Sequence, residues 1–163
     1  MNAIFKRVSV RKYEEKEVED EKIEKILRAG MASPSAMNQQ EWEFYVIKDK
    51  NKLMELSQVT PYSSFVKDAP AAIVLCSRKD IIRPEYKDID CAICTENMLL
   101  EMTELGLGGC MIGISPDREK IDRLNKVINI SDELDSFTLI PFGYPYIQKE
   151  QDDRFDTYRI HYI

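Results

Sequence analysis

The stretch AAIVLCS, residues 71–77, constrains the fold most. It is a short apolar run bounded by breakers, so it predicts a strand buried at the centre of a sheet. WEFYVIK (42–48) is rich in aromatic and β-branched residues and predicts a second strand. SFTLIPFGYP (136–145), closed by Gly143 and Pro145, predicts another, and CMIGI (110–114) a short one behind Gly106, Gly108 and Gly109. Helical spacing places Ile23, Ile26, Leu27 and Met31 on one helix, with Glu19, Asp20 and Glu21 crowding a first turn where the dipole favours negative charge. A second helix follows Asp49 as its cap, and TPYSSFVKDAP (60–70) reads as turn and short helix. A long helix runs from Tyr86 to Leu105, with Ile89, Ile93, Met98, Leu99, Met102 and Leu105 available for burial. Ser115 as cap and Pro116 at the first helical position predict a further helix through DREKIDRLNKVI (117–128). Strands followed by short and long helices, with no repeat or linker, give one mixed α+β domain over residues 1–163.

A chain of 163 residues can bury a real core without staples. Its net charge of -6 supplies no basic field, which argues against nucleic acid or an anionic membrane surface as partner. A small molecule is expected instead. The opening MNAIFKRVSV lacks the apolar run of a signal peptide and no stretch approaches the ~20 apolar residues of a membrane span, so a cytoplasmic location is expected. Cys76, Cys91, Cys94 and Cys110 are expected to be free thiols.

Several short motifs bear on chemistry. In RVSVRKY (7–13), Arg7, Ser9 and Arg11 alternate and share one side of an extended chain. They form either a solvated face or a site where two guanidinium groups and a hydroxyl meet an anion. The polar loop 33–40 is either a plain helix-to-strand connection or a contact for the polar edge of a flat heterocycle. GLGGCMIGI (106–114) fails the dinucleotide fingerprint at Met111 and has no Gly-Lys-Ser/Thr, leaving backbone that can approach a helix or a cofactor ring closely. Cys91 and Cys94 form a lone C-x-x-C inside an apolar helical stretch and read as packing. His161 is the only histidine and lies in no recognisable motif. The alternation Tyr158, Ile160, Tyr162 suits an exposed strand in need of a partner.

The order R-x-S-x-R-K-Y, S-P-S-A-M-N-x-Q-x-W, A-P before a strand, G-L-G-G-C-x-I-G after a long helix and G-Y-P near the end resembles the flavin-dependent nitroreductase family from end to end. The resemblance implies a nitroreductase-like fold with a mostly antiparallel central sheet flanked by helices. It implies a homodimer with FMN at the interface, and a C-terminal strand added to the partner's sheet. Arg7, Ser9 and Arg11 match positions holding the FMN phosphate and pyrimidine edge, with Val8 contributing backbone. Pro34, Ser35, Ala36 and Asn38 match the loop reaching the ring from the other subunit, Ile112 and Gly113 a segment whose N–H groups approach it, and Arg154 a supporting cation. Three positions depart from the pattern. Asp152 stands where a second cation is common, Tyr62 and Ser63 where an amide side chain meets the pyrimidine, and Glu41 where proline is common, a change expected to alter only the start of the strand. A long covering insertion is also missing, which implies an open site. The implied activity is two-electron transfer by ping-pong from NADH or NADPH to an electron-poor acceptor such as a nitroaromatic, quinone or flavin. The alternative is an FMN-binding storage or sensor protein with little turnover.

Overall fold

The strand expected at residues 71–77 is β2 (Ala71–Arg78) in a computed structural model that describes residues 3–163. β1 (Trp42–Ile47) lies antiparallel on one side of it, with Trp42 opposite Ser77 and Ile47 opposite Ala72. β5 (Leu134–Gly143) lies antiparallel on the other side, Ala71 facing Phe142. On the far edge of β5 sit β3 (Gly108–Gly109) and β4 (Ile112–Gly113), which pair Gly108 with Gly143 and Gly113 with Thr138. Helices flank this antiparallel sheet, as the α+β reading expects.

Period-two alternation along β2 divides the core. Ala71, Ile73 and Leu75 face α2 (Asp20–Met31) and α4 (Lys87–Glu104), packing with Ile26, Met98 and Met102. Ala72, Val74 and Cys76 face α3 (Lys50–Leu56) and α5 (Arg118–Ile128), packing with Leu53, Leu56, Ile121 and Leu124. Asp49 caps α3 as expected, its carboxylate accepting from the Lys52 N–H at 2.9 Å.

Two expectations are corrected. On α4, Ile89 and Ile93 are 55% and 37% exposed, because the line facing the sheet runs through Cys91, Cys94, Thr95, Met98, Leu99 and Met102. The cap of α5 is Asp117, whose Oδ1 accepts from the Lys120 N–H at 3.3 Å, while Ser115 donates to Asp88 Oδ2 at 2.9 Å. A helical turn, α1 (Ala3–Lys6), precedes the basic segment. The tail beyond Pro145 holds no strand of its own, only a 3₁₀ turn at Thr157–Arg159 with Tyr158 and Tyr162 exposed.

All four cysteines are free and buried. Burial pushes the Cys94 thiol up to about 12 and raises that of Cys91 as well, which suits packing in the α2–α4 core. Among the described residues no helix is long and apolar enough to cross a membrane.

Candidate functional site

Beyond α1 the chain runs extended beside β3. The Val10 N–H donates to the Gly109 carbonyl at 3.0 Å, and the Tyr13 hydroxyl lies 2.7 Å from the Val10 carbonyl. Gly108 permits this approach, since a Cβ there would stand 2.3 Å from Val10 Cγ2. Val8 packs with Val10, Tyr13, Ala69 and Phe65 in a small core, and Arg7, Ser9 and Arg11 alternate with the two valines. Arg11 lies over the Phe65 ring at 5.9 Å, and Arg7 Nε is 3.4 Å from Glu96 Oε1 on α4. Ser9, Arg11 and Arg7 all bear on the Cys110 thiol: burial pushes it up, while the Arg11 charge, the Ser9 hydrogen bond and the Arg7 charge draw it down. Arg7, Ser9 and Arg11 thus follow one another along an extended segment that bonds to Gly109 at the edge of the sheet, Arg7 half-buried and Ser9 and Arg11 exposed.

That edge also offers backbone donors. Cys110 N–H bonds the Pro141 carbonyl at 3.2 Å and Ile114 N–H bonds the Phe137 carbonyl at 3.0 Å. In an antiparallel ladder every second residue turns its N–H away from the partner strand, so Met111 and Gly113 point outward. Gly113 is exposed, and a Cβ built on it meets nothing within 4 Å. Ile112, by contrast, is buried, and its N–H faces β5. Of the two residues expected here, Gly113 carries the free donor.

The loop 33–41 is built differently. Ala36–Asn38 forms a 3₁₀ turn, and Met37, Asn38 and Gln40 adopt φ of 53°, 53° and 47°, a left-handed winding that is unfavourable outside glycine. Many bonds hold it. Ala36 N–H donates to Asp90 Oδ2 at 3.0 Å, Gln40 N–H to Ser35 Oγ at 3.0 Å, and Asn97 Nδ2 to Ser33 Oγ at 2.9 Å. Gln39 Nε2 reaches Asp90 Oδ2 at 3.0 Å and Glu41 Oε1 at 3.2 Å, and Arg78 Nη2 donates to the Gln40 carbonyl at 3.0 Å. Pro34 and Asn38 remain exposed. The expectation that Glu41 alters only the start of β1 is corrected: its side chain is fully buried against Asp90, which is 4% exposed.

The remaining candidates separate. Tyr62 is 76% exposed, but Ser63 is buried with its hydroxyl between the Ser57 and Thr60 carbonyls, so Ser63 supports a turn and offers no free group. Arg154 is exposed on the tail, which touches the basic segment where Gln151 Nε2 donates to the Arg7 carbonyl at 3.4 Å. Within one chain, no hydrogen bond or ion pair among the described residues joins loop 33–41 to residues 7–11. Glu96, Gln39 and Asp90 are participants that motif reading missed. The signal for Asp90 was its place beside Cys91 and Cys94 on the inward line of α4.

A family model described as the nitroreductase family matches residues 4–60 and 55–144. A candidate NADH dehydrogenase/NAD(P)H nitroreductase of Methanothermobacter thermautotrophicus is 37% identical over 162 residues, covering 99% of this chain and 85% of its own. A candidate NADH oxidase from Clostridium acetobutylicum, solved as a crystal structure, has a TM-score of 0.94 at 41% identity over 98% of this chain and 97% of that one. An FMN-dependent nitroreductase from Clostridium difficile has a TM-score of 0.91 at 30% identity, with 99% and 97% covered. The antiparallel sheet, the basic segment along its edge and these matches over nearly the whole length place the chain in one group: it belongs to the nitroreductase family.

Proposed function

We propose that this chain is an FMN-dependent NAD(P)H oxidoreductase acting as a homodimer. One observation carries the reading: Arg7, Ser9 and Arg11 lie on one extended segment bonded to Gly109 at a sheet edge, and at the same edge the Gly113 N–H is unoccupied by the ladder and open to its surroundings. This donor set fits FMN, which combines an anionic phosphate with a flat ring rich in acceptors. The chemistry that FMN supplies when bound is two-electron transfer, from NADH or NADPH to an electron-poor acceptor such as a nitroaromatic, quinone or flavin.

The residues bind and orient. Arg7 and Arg11 hold the phosphate and the pyrimidine edge with charge-assisted bonds, Ser9 adds a hydroxyl, and the backbone of Val8 and Gly113 adds directional contacts. Arg154 approaches on the tail as a further cation, opposed by Asp152. To serve the phosphate, Arg7 exchanges Glu96 for it, a trade eased by a partner that stands half in water. Tyr62 faces outward as the candidate for the pyrimidine side.

Homodimerisation completes the site by bringing Pro34, Ser35, Ala36 and Asn38 of a second copy to the basic edge. Two features support this: Ile89 and Ile93 expose an apolar stripe on α4, and the tail carries exposed tyrosines without a strand neighbour in its own chain. In the dimer the tail adds to the partner's sheet. Purified protein is expected to be yellow and to bleach under anaerobic NADH or NADPH. A colourless protein that FMN cannot reconstitute ends this reading, and binding without bleaching marks a storage or sensor protein. Arg11→Glu is expected to weaken FMN retention by roughly tenfold or more by placing a like charge beside the phosphate; unchanged affinity refutes the phosphate assignment.

A further inference from the structure

Glu41 and Asp90 are two acids buried side by side, and the function proposed above gives neither a role. Both reach one atom, Gln39 Nε2, at 3.2 Å and 3.0 Å. Among the described residues no ion pair reaches either. Arg78 spends Nη2 on the carbonyls of Gln39 and Gln40, and Arg83 meets Gln39 through its backbone while its guanidinium faces Glu85 at 3.5 Å. Behind the acids stand the thiols of Cys91 and Cys94 on α4 and Cys76 on β2, with the carboxylates of Asp88 and Glu43 beyond them. Asp88 accepts from Ser115. Two ionised carboxylates cannot share so dry a place without a cation.

The hydrogen bonds tell the two apart. Asp90 Oδ2 accepts the Ala36 N–H and the Gln39 amide, which stabilise an anion. The Gln39 amide reaches Glu41 Oε1 at 3.2 Å and the Glu41 backbone N–H also draws that acid down, but Oε2 is buried with no hydrogen-bond donor, and Asp90 lies within hydrogen-bonding reach of the carboxyl group. An acid whose own hydrogen points at the neighbouring carboxylate has this geometry.

We propose that Glu41 and Asp90 hold one proton between them, carried on Glu41, and that this pair is the latch positioning the cofactor loop 33–41 on α4. The effect on FMN rests on the function proposed above. Met37, Asn38 and Gln40 keep their left-handed winding only while the surroundings over-determine it, and two of those anchors meet at Asp90. Loss of the proton buries a second negative charge beside Asp90, splits the bonds of Gln39 between two anions and drives the loop off the helix. Burial pushes the Glu41 acid above the ordinary carboxylate range, and Asp90 pushes it further. The docked loop therefore binds the proton more tightly than the released loop does. Docking is complete in acid and is lost as pH rises through the raised value.

Trp42, the only tryptophan, is buried directly after Glu41 and reports the latch without flavin. In flavin-free full-length protein its fluorescence is expected to follow a one-proton transition above the ordinary glutamate range. Glu41→Gln, which keeps the neutral shape, is expected to abolish the transition, and Asp90→Asn to move it to lower pH. A wild-type protein without the transition, or a Glu41→Gln protein that retains it, overturns the latch. If either variant fails to fold, the wild-type titration and the other variant still decide. FMN titrations followed by flavin fluorescence over the same pH range test the link to the site. The dissociation constant is expected to rise by up to about tenfold per pH unit across the transition in wild type and to stay flat in Glu41→Gln. A pH-independent constant in wild type overturns the positioning role. Absence of FMN binding at every pH refutes the proposed function instead, and Trp42 still judges the latch.

Discussion

Asp90 and Glu96 both stand on α4, and each holds a segment that carries the proposed site, yet their surroundings are opposite. Asp90 is buried without a cation and takes two N–H donors from the loop 33–41. Glu96 stands half in water and grips Arg7 through a 3.4 Å ion pair. Water screens the second attachment, and such pairs contribute about 0–1 kcal/mol. The first cannot be rehydrated without opening the loop, so each stranded donor costs about 1–3 kcal/mol. Dryness, more than formal charge, decides which segment is fixed. The loop is pinned in place, whereas Arg7 is free to change partners.

The contrast breaks most easily at Asp90. Asp90→Ala strands the Ala36 N–H, while the Gln39 amide keeps Glu41 Oε1 and the Arg83 carbonyl, and is expected to lower unfolding free energy by about 2 kcal/mol in urea titrations. A loss below about 1 kcal/mol would make Asp90 no stronger an anchor than Glu96. Next comes pH. Because the folded chain holds the Glu41 proton more tightly than the unfolded chain does, that contribution to stability is complete below the ordinary glutamate range and declines as pH rises through the raised value. Glu41→Gln should therefore match wild type in acid and melt at higher temperature above the window. Parallel melting curves across pH would remove the shared proton.

Cys91→Ser probes the wall behind the acids. A hydroxyl in that apolar place should cost about 1–2 kcal/mol in urea and leave the rate of NADH bleaching unchanged. Lost turnover in a folded variant would instead give the cysteine pair a redox role. The smallest effect is expected at Glu96→Gln, with stability shifting by less than about 1 kcal/mol while FMN affinity rises roughly two- to threefold as Arg7 loses a competitor. Weaker binding would mean that Glu96 positions Arg7 and does not compete for it.

The central strand, the Asp49 cap and the basic segment were legible in the chain because each depends on local chemistry: an apolar run, a side-chain acceptor, an alternation. The inward line of α4 was not. Isoleucines and cysteines alternate along it at spacings that permit two faces, and hydrophobicity ranks Ile89 and Ile93 above the Cys91 and Cys94 that the sheet selects. Ser115 and Asp117 are both competent caps, and only the bond to Asp88 shows that Ser115 is engaged elsewhere. In the site, motif order marked Arg7, Ser9 and Arg11, but whether Ile112 or Gly113 turns its N–H outward depends on ladder parity against β5. Glu41 was the hardest to read. A glutamate before a strand suggests solvent, and its burial requires Asp90, which lies far along the chain.

β5 has a further consequence for how the protein is made. It is the last strand in sequence, yet it lies between β2 and the β3–β4 edge, and all ten of its residues are buried. On a translating ribosome β2 therefore waits with one row of amides and carbonyls unsatisfied until residues 134–143 emerge. The nascent chain is most prone to sticking to its neighbours in that interval, and a synthesis stall just before β5 would be its most hazardous pause.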